Sequence, residues 1–93
     1  MASQPRNERQ LERIVRGFSN HRRIQMMRLL DHTAELSLEE VAAKLNINMK
    51  TASEHMRRLA ISGLALKRND GRHVRHKLTP RAKSVLTFLK SME

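Results

Sequence analysis

The stretch SLEEVAAKLNINMKTASEHMRRL, residues 37–59, carries the pattern that decides the fold of this chain. Ser37 and Glu40 have the spacing of a capping box, in which the serine side chain and the glutamate carboxylate each bond a backbone amide at the start of a helix. Apolar residues recur at helical spacing after the box and predict a short helix over residues 38–45. A polar-apolar-polar turn at residues 46–48 ends it, so two helices joined by a tight turn are expected.

The second helix of this pair is predicted from Met49 to about Ser62. Asn48 is a favourable N-cap residue, and Gly63 stands where helices commonly end in a left-handed conformation. Two helices joined by so tight a turn can hold the second one clear of the body, in a position that fits the major groove of B-DNA. The side chains predicted to point inward are Ala52, Met56, Leu59 and Ala60.

Two further helices are predicted before this pair. Over residues 6–18 the apolar residues form one stripe at helical spacing, with arginines on the opposite face. A second helix follows, capped by Ser19 or Asn20 and closed near His32. The small, polar residues 1–5 predict a loose tail. The first stripe consists of Leu11, Ile14, Val15 and Phe18, and the core side of the second helix of Ile24, Met27 and Leu30, flanked by Met26 and Leu29.

A β-hairpin is predicted from two strand-like runs over residues 64–68 and 72–78. A two-residue turn at Asp70 and its following glycine would set the apolar rows of the two strands on opposite faces. A three-residue loop that includes Asn69 keeps these rows on one face and pairs Leu66 with Val74. It also gives the loop glycine the position that needs a positive φ.

The order of these elements is that of a winged helix-turn-helix domain. Thr79 caps a last helix that has Pro80 in its first turn, so the order is helix, helix, helix, turn, helix, hairpin, helix. The predicted fold class is mainly α with a small β-hairpin, about five helices plus a wing. The 93 residues fit a single domain over residues 1–93.

The composition indicates a polyanionic partner. Lys and Arg number 19 against 9 Asp and Glu, a formal net charge of +10. Such a charge attracts nucleic acid, and a duplex that binds Lys and Arg releases counterions. Trp and Tyr are absent and Phe occurs twice, so the aromatic platforms that bind single-stranded bases are poorly supported. Double-stranded DNA is therefore the predicted partner.

Several other classes of protein are disfavoured. The absence of Cys excludes disulfides, thiolate metal sites and cysteine nucleophiles, and it fits a cytoplasmic location. No apolar run approaches the roughly 20 residues of a membrane helix. An enzyme is not predicted, since there is neither a glycine-rich phosphate loop nor a histidine–carboxylate set at catalytic spacing. His73 and His76 face opposite sides of a strand, so no metal and no cofactor are predicted, and His76 is expected to pack inward.

Candidate DNA contacts fall on the helix after the turn and on the hairpin. The outward helix side chains can bond base edges or phosphate, and Glu54 can accept from a cytosine amino group. In the three-residue register Arg68 faces Arg72, and an anion between them would relieve their repulsion. His55 and His73 near phosphate would gain charge in mild acid. The helix candidates are Met49, Lys50, Thr51, Ser53, Glu54 and Arg57, and the wing candidates are Lys67, Arg68, Arg72, His73 and Arg75.

Several stretches of the sequence together match the pattern of one family of proteins. They are residues 20–30, residues 35–59 with the step from Ser53 to Met56, the pair Gly63-Leu64, and the stretch from Gly71 to Thr79. Over roughly residues 17–80 the sequence resembles the ArsR-like transcriptional regulators. The resemblance implies a winged-helix homodimer that represses transcription at a palindromic operator. It also implies that the terminal helices form the dimer interface.

Two departures from that pattern bear on function. Metal-sensing members carry cysteines near the start of the first helix of the helix-turn-helix, or an Asp/His set on the last helix. Here the first region holds Ser37 and Leu38, and residues 81–93 contain neither His nor Asp, so metal sensing is not carried over. Glu54 stands where the pattern commonly has a basic residue, so the resemblance does not imply the family's usual base contact at this position.

The helices over residues 6–18 and 79–93 carry more apolar surface than a three-helix core requires. One interpretation pairs them with a second copy of the chain, and the other packs them on each other within one chain. The predicted function is a dimeric, sequence-specific DNA-binding regulator; a nonspecific architectural DNA-binding protein and a protein-docking module are the alternatives. Whether a small-molecule effector exists is left open. The predicted dimer contacts are Leu11, Ile14, Val15, Phe18, Val85, Leu89 and Met92.

Overall fold

All predicted helices and the hairpin are present in the structure, a computed structural model that describes residues 5–93. Within these residues, five helices and a three-stranded antiparallel sheet form a winged helix-turn-helix, which confirms the predicted fold class. Residues 1–4 of the predicted tail lie outside the described residues. In chain order the elements are α1 (Glu8–Phe18), α2 (His21–His32), β1 (Leu36–Ser37), α3 (Leu38–Leu45), α4 (Met49–Ile61), β2 (Ala65–Asp70), β3 (His73–Leu78) and α5 (Pro80–Lys90).

Caps fix the start of α3 and both ends of the turn between α3 and α4. The Ser37 hydroxyl accepts from the Glu40 amide at 3.2 Å and the Glu40 carboxylate accepts from the Ser37 amide at 3.0 Å, so the predicted capping box is confirmed. α3 ends at Asn46, which is left-handed with φ 54°. Asn48 Oδ1 accepts from the Thr51 amide at 2.8 Å and begins α4. These bonds define where α4 leaves the body of the domain.

The start of α1 lies later than predicted. Asn7 and Gln10 form a second capping box, with both bonds at 2.9 Å, so the helix begins at Glu8 rather than at residue 6. Asn20 is the residue that caps α2. No helix within the described range is both long and apolar enough to cross a membrane.

The core lies between α2, α3, α4 and the base of the sheet. Met26, predicted at the flank of α2, is completely buried, and apolar side chains of α1 and α5 cover the core from outside. α1 packs on α2 and α4, whereas α5 packs on α2 and β3, so within the described residues the terminal helices do not form a packed pair with each other. The largest fully buried side chains are Met26, Met27, Leu30, Val41, Met56, Leu59 and Leu64.

The register of the hairpin differs from the prediction. β2 and β3 are joined by two residues, Gly71 and Arg72, rather than by three. Leu66 therefore faces Lys77 and not Val74, so the predicted register is wrong. The loop glycine does have a positive φ, 61°, but as the first central residue of a two-residue turn.

Leu64 explains why the prediction failed. Its amide donates to the Leu59 carbonyl at 2.8 Å across the left-handed Gly63 (φ 70°), as in a Schellman motif at the end of α4. Leu64 thus enters the core as part of the helix end and not as the first residue of the strand. The alternation of inward and outward side chains along β2 therefore begins at Ala65, which is buried, and continues with Leu66, which is 49% exposed.

The two-residue strand β1 was not predicted. It pairs with the outer edge of β3, with Leu36 opposite His76 and Ser37 opposite Arg75, and the strand order is β1-β3-β2. This pairing brings the start of α3 beside the hairpin. In the observed register Arg68 faces Arg75, and not Arg72 as predicted.

The base of the hairpin is bonded to the end of α4. The Thr79 amide donates to the Leu64 carbonyl at 3.2 Å, and its hydroxyl donates to the Gly63 carbonyl at 2.7 Å. The Arg81 guanidinium donates to the Ser62 carbonyl at 2.9 Å. The hairpin therefore keeps a fixed place relative to α4.

Candidate nucleic-acid interface

The outward side of α4 is open to solvent. Its opposite side is anchored in the core through Ala52, Met56 and Leu59, all buried. A helix held on one side that presents basic and polar groups on the other has the shape required to lie in a major groove. The exposed candidates on this helix are Met49, Lys50, Ser53, Glu54 and Arg57, whereas Thr51 is half-buried.

Glu54 and Arg57 form an ion pair on this outward side. Their charged atoms lie 3.9 Å apart, and the two side chains are 60% and 56% exposed. A pair at this spacing and exposure contributes at most about 0.5 kcal/mol. Arg57 can therefore exchange the carboxylate for a base edge or a phosphate, and Glu54 then becomes available to a base amino group.

One side of the hairpin borders α4. The observed register places Lys67, Val74 and His76 on this side, which we call the helix side of the hairpin. Lys67 lines a cavity of about 110 Å³ together with Ser53 and Arg57, so cations of the hairpin and of α4 flank one groove. Among the described residues, Lys67 has no carboxylate within 4.0 Å, and the same holds for Arg72 in the turn. His73 is exposed.

The other side of the hairpin, which we call its paired side, holds Arg68 and Arg75 against carboxylates. Arg68 contacts the Glu35 carboxylate. Arg75 lies 3.0 Å from a Glu40 oxygen and 3.5 Å from an Asp70 oxygen, and its side chain is only 28% exposed. The carboxylates of the fold thus relieve the repulsion between Arg68 and Arg75, whereas the sequence predicted an outside anion between Arg68 and Arg72.

Hydrogen bonds on the paired side shift the pKa of two of these groups. The pKa of Glu40 lies below its ordinary value, chiefly because the carboxylate accepts bonds from the Ser37 backbone and side chain, with a further contribution from Arg75. The bond to Glu35 raises the pKa of Arg68. Both shifts favour the charged form of the group concerned.

Two histidines, His76 and His55, have a pKa below the ordinary value. His76 is 5% exposed, with Nδ1 3.3 Å from the Leu36 carbonyl, and burial lowers its pKa. The inward packing expected of His76 is therefore confirmed. His55 lies beside Arg23, with 3.3 Å between Nδ1 and a guanidinium nitrogen, and burial followed by the charges of Arg23 and Arg22 lowers its pKa. Charging His55 thus requires more acid than its ordinary pKa implies.

Metal ligation has no geometric support in residues 5–93. No group of three or more His, Asp or Glu side chains is arranged there to hold an ion.

The terminal helices expose part of their apolar stripes. On α1, Ile14 and Phe18 are partly buried against the core, and on α5 Val85 is as well. Leu89 is half-buried. Phe88, which was not among the predicted dimer contacts, is 56% exposed. The predicted contacts that face solvent are Leu11, Val15 and Met92, with exposures of 49%, 50% and 65%.

The carboxylates that hold the hairpin were not predicted from the sequence. Glu35 and Glu40 flank β1, a strand too short to leave a pattern, so their proximity to the basic hairpin was not visible. Glu35 is also left-handed, with φ 63°, which is uncommon for a residue with a side chain. The available signal was the presence of three acidic residues within six positions, Glu35, Glu39 and Glu40, in a chain whose predicted hairpin is rich in arginine.

Solved structures with this fold match nearly the whole chain. The homodimeric winged helix-turn-helix DNA-binding domain Mb0332 from Mycobacterium bovis, a possible ArsR-family transcriptional regulator, is 26% identical with a TM-score of 0.79, over 99% of this chain and 88% of that one. The regulator HlyU from Vibrio vulnificus is 29% identical with a TM-score of 0.75, over 92% and 90%. HlyU from Vibrio cholerae is 25% identical with a TM-score of 0.79, over 96% and 97%.

These matches bear out the resemblance seen in the sequence. No protein-family model and no curated protein sequence matches the chain. The structural matches are to ArsR-family winged helix-turn-helix regulators and extend over nearly the whole chain. The prediction that the chain is not an enzyme agrees with this similarity, since the matched structures reported above are of regulators.

Proposed function

We propose that this chain is a transcriptional regulator that binds specific sequences of double-stranded DNA as a homodimer, with α4 in the major groove. The observation that carries the proposal is the solvent-open, basic and polar side of α4, anchored from behind by the core. The similarity to a homodimeric DNA-binding domain and to two transcriptional regulators supports it. A protein with this function works where the DNA is, so a cytoplasmic location is part of the proposal.

The side chains of α4 divide into two groups in this proposal. Lys50 and Arg57 are long enough to reach guanine edges or phosphates, and Arg57 can do so bidentately. Thr51 and Ser53 donate to bases or phosphates. Glu54 accepts from a cytosine amino group and opposes phosphate, so it contributes to the choice of sequence rather than to affinity.

The cations of the hairpin have two different roles in the proposal. Lys67 and Arg72, which have no carboxylate partner within residues 5–93, contact backbone phosphates in this proposal, with exposed His73 beside them. Arg68 and Arg75 are held by Glu35, Glu40 and Asp70, and so support the hairpin more than they bind DNA.

The dimer is proposed to form through the exposed parts of α1 and α5. Leu11 and Val15 on α1, and Phe88 and Met92 on α5, leave apolar surface in water that a second copy would cover. A two-fold dimer suits a palindromic operator whose half-sites lie one helical turn, about 34 Å, apart. Binding there would repress transcription by occupying the site.

Selection of bound duplexes from a random pool tests sequence specificity. The proposal expects a palindromic consensus and weaker binding of Arg57→Ala by about 1–3 kcal/mol on that consensus. Arg9→Ala is the control, because it removes the same charge from an exposed arginine outside the proposed DNA interface. This variant should bind the consensus almost as the parent protein does. Equal affinity for selected and random DNA would favour the nonspecific alternative and contradict the proposal.

Sedimentation at micromolar concentration tests the dimer separately. The expected mass is that of two chains, and Val15→Glu should shift it towards one chain, because a charge would be buried at the interface. Glu12→Gln, an exposed change on the same helix, should leave the mass unaltered. A single-chain mass for the parent protein would reject the dimer.

A further inference from the structure

A cavity of about 620 Å³ lies between the end of α1, the start of α2 and the second half of α4. It is distinct from the outward side of α4, because Arg58 and Ser62 line it from the flank of the helix that faces α1 and α2. None of the described residues that line it carries a carboxylate. Its charged and hydroxyl side chains are Arg13, Arg16, Arg23, Arg58, Ser19 and Ser62.

Arg23 is the fixed member of this set. Its guanidinium donates to the Arg16 carbonyl at the end of α1 at 3.3 Å, and its other terminal nitrogen lies 3.3 Å from His55 Nδ1. Its Nε is buried and has no hydrogen-bond partner among the described residues. Buried donors are nearly always satisfied in folded proteins, so this N–H, at the edge of the cavity, lacks an acceptor that an ion or a water molecule from outside the chain can supply.

The positive charge around the cavity is largely uncompensated. Arg16 has one exposed carboxylate neighbour, Glu12 at 3.6 Å. In the part of the chain that the structure describes, Arg13, Arg23 and Arg58 have no carboxylate within 4.0 Å. Burial lowers the pKa of Arg23, and the charge of Arg58 lowers it further. An anion between the two arginines would remove this second effect.

We propose that this cavity binds a small organic anion through a phosphoryl or carboxylate group, held by Arg23 and Arg58. Guanidinium groups match the oxygens of both anions in their fork geometry. The cavity volume falls within the range of about 300–1,000 Å³ typical of small-molecule sites. Ser19 and Ser62 add hydroxyl donors, and Ile61 gives an apolar wall for the remainder of the ligand.

The site is separate from the proposed DNA interface, and its occupation does not depend on that proposal. Its position does link the two, because Arg58 and Ile61 belong to α4. An anion that draws Arg58 towards Arg23 acts on the C-terminal half of this helix. Ligand binding and DNA binding would therefore influence each other through α4.

Titration of the full chain with inorganic pyrophosphate, followed by NMR at constant ionic strength, tests the site. The arginine Nε–H and backbone signals of Arg23 and Arg58 should shift saturably, and sodium chloride at the same ionic strength should not reproduce the shifts. Arg58→Gln should weaken pyrophosphate binding by about tenfold, the effect of losing a charge-assisted hydrogen bond. Arg58 is exposed, so this variant should keep the parent spectrum elsewhere.

Arg9→Gln is the matched control, since it removes an exposed arginine of α1 outside the cavity. It should change the pyrophosphate affinity less than twofold, within the effect expected of a distant screened charge. Equal weakening by Arg9→Gln and Arg58→Gln, or shifts matched by chloride, would overturn the proposal.

The salt dependence of DNA binding separates a small anion from a DNA phosphate in the same cavity. If the ligand is a separate anion, Arg58→Gln leaves the slope of log affinity against log salt unchanged. A slope smaller by about 0.9, the value for one lost phosphate contact, together with displacement of pyrophosphate by duplex DNA, would assign the cavity to the DNA backbone and overturn the proposal.

Discussion

In the hairpin, Arg68 and Arg75 each contact a carboxylate, whereas Arg23 and Arg58, at the cavity beside α1, have none within 4.0 Å among the described residues. The residue type and the formal charge are the same in both regions, so the neighbours decide what that charge can do. A paired guanidinium positions the hairpin, while an unpaired one remains available to an anion from outside. The formal charge of +10 therefore overstates what the hairpin offers to DNA.

The outward side of α4 lies between these two extremes. Arg57 has a carboxylate neighbour, Glu54, but the pair is long and exposed. Such a pair is exchanged readily, unlike that of Arg75, whose side chain is largely covered and touches two carboxylates. Counting cations is thus a poor guide to a DNA interface, and their pairing is a better one.

The largest effect is expected where α1 meets α4 at the edge of the cavity. Gly17 is buried, and a methyl group there would overlap the Ser62 side chain and approach Leu64. Gly17→Ala should therefore lower the free energy of unfolding by about 1–3 kcal/mol, measured by urea denaturation, although alanine is the better helix former. Arg9→Ala on the same helix should change it little. Unchanged stability of Gly17→Ala would show that α1 is not packed this closely.

The next effect separates the two sides of the hairpin. Lys67→Ala removes an unpaired cation from the helix side, so the salt slope of DNA binding should fall by about 0.9. Arg68→Ala removes a cation that Glu35 already neutralises, and the slope should stay near that of the parent. Equal slopes for the two variants, from titrations at several salt concentrations, would contradict the division of the hairpin into two sides.

A smaller and opposite effect is expected when the partner of Arg68 is neutralised. Glu35→Gln leaves Arg68 without its carboxylate, so binding to random duplex DNA should strengthen and its salt slope should rise. Glu12→Gln, an exposed acid on α1 with the same change of charge, is the control. If both variants strengthen binding equally, net charge and not the pairing of Arg68 explains the result.

The smallest effect concerns two histidines, His76 in the hairpin and His55 beside Arg23 of the cavity. Burial lowers the pKa of both His76 and His55 in the folded chain, so between the folded value and about 6.5 the unfolded chain binds more protons. Stability is therefore fully present above this range and falls as pH decreases through it. Urea denaturation at pH 7 and pH 5 should show this fall, and His76→Gln should reduce it. If the parent protein is equally stable at pH 7 and pH 5, the predicted loss of stability in acid is wrong.

Short-range patterns made most of the fold predictable. The capping box at Ser37 and Glu40, the caps at Asn48 and Thr79, and the apolar spacing between them are local signals, and each is present in the structure. The outward residues of α4 follow from the same spacing. Local rules are reliable here because the bonds concerned join residues two to four positions apart.

The hairpin was predicted less well because its register depends on where α4 ends. Leu64 and Leu66 have the spacing of neighbours on one face of a strand, but the Leu64 amide bonds the end of α4, so Leu64 does not belong to the strand. The pairing of Arg68 with Glu35 joins residues that are distant in sequence and depends on the two-residue strand β1. The arginine-lined cavity likewise needs three helices to be assembled before its residues meet.

Methylation protection at guanine N7, which lies in the major groove, tests the role of α4 most directly. On the selected duplex, bound protein should protect guanines in two half-sites about 34 Å apart, and Arg57→Ala should lose protection in both. If the protein stays bound while guanine N7 remains fully reactive throughout the site, α4 does not lie in the major groove and the proposed mode of DNA binding is wrong.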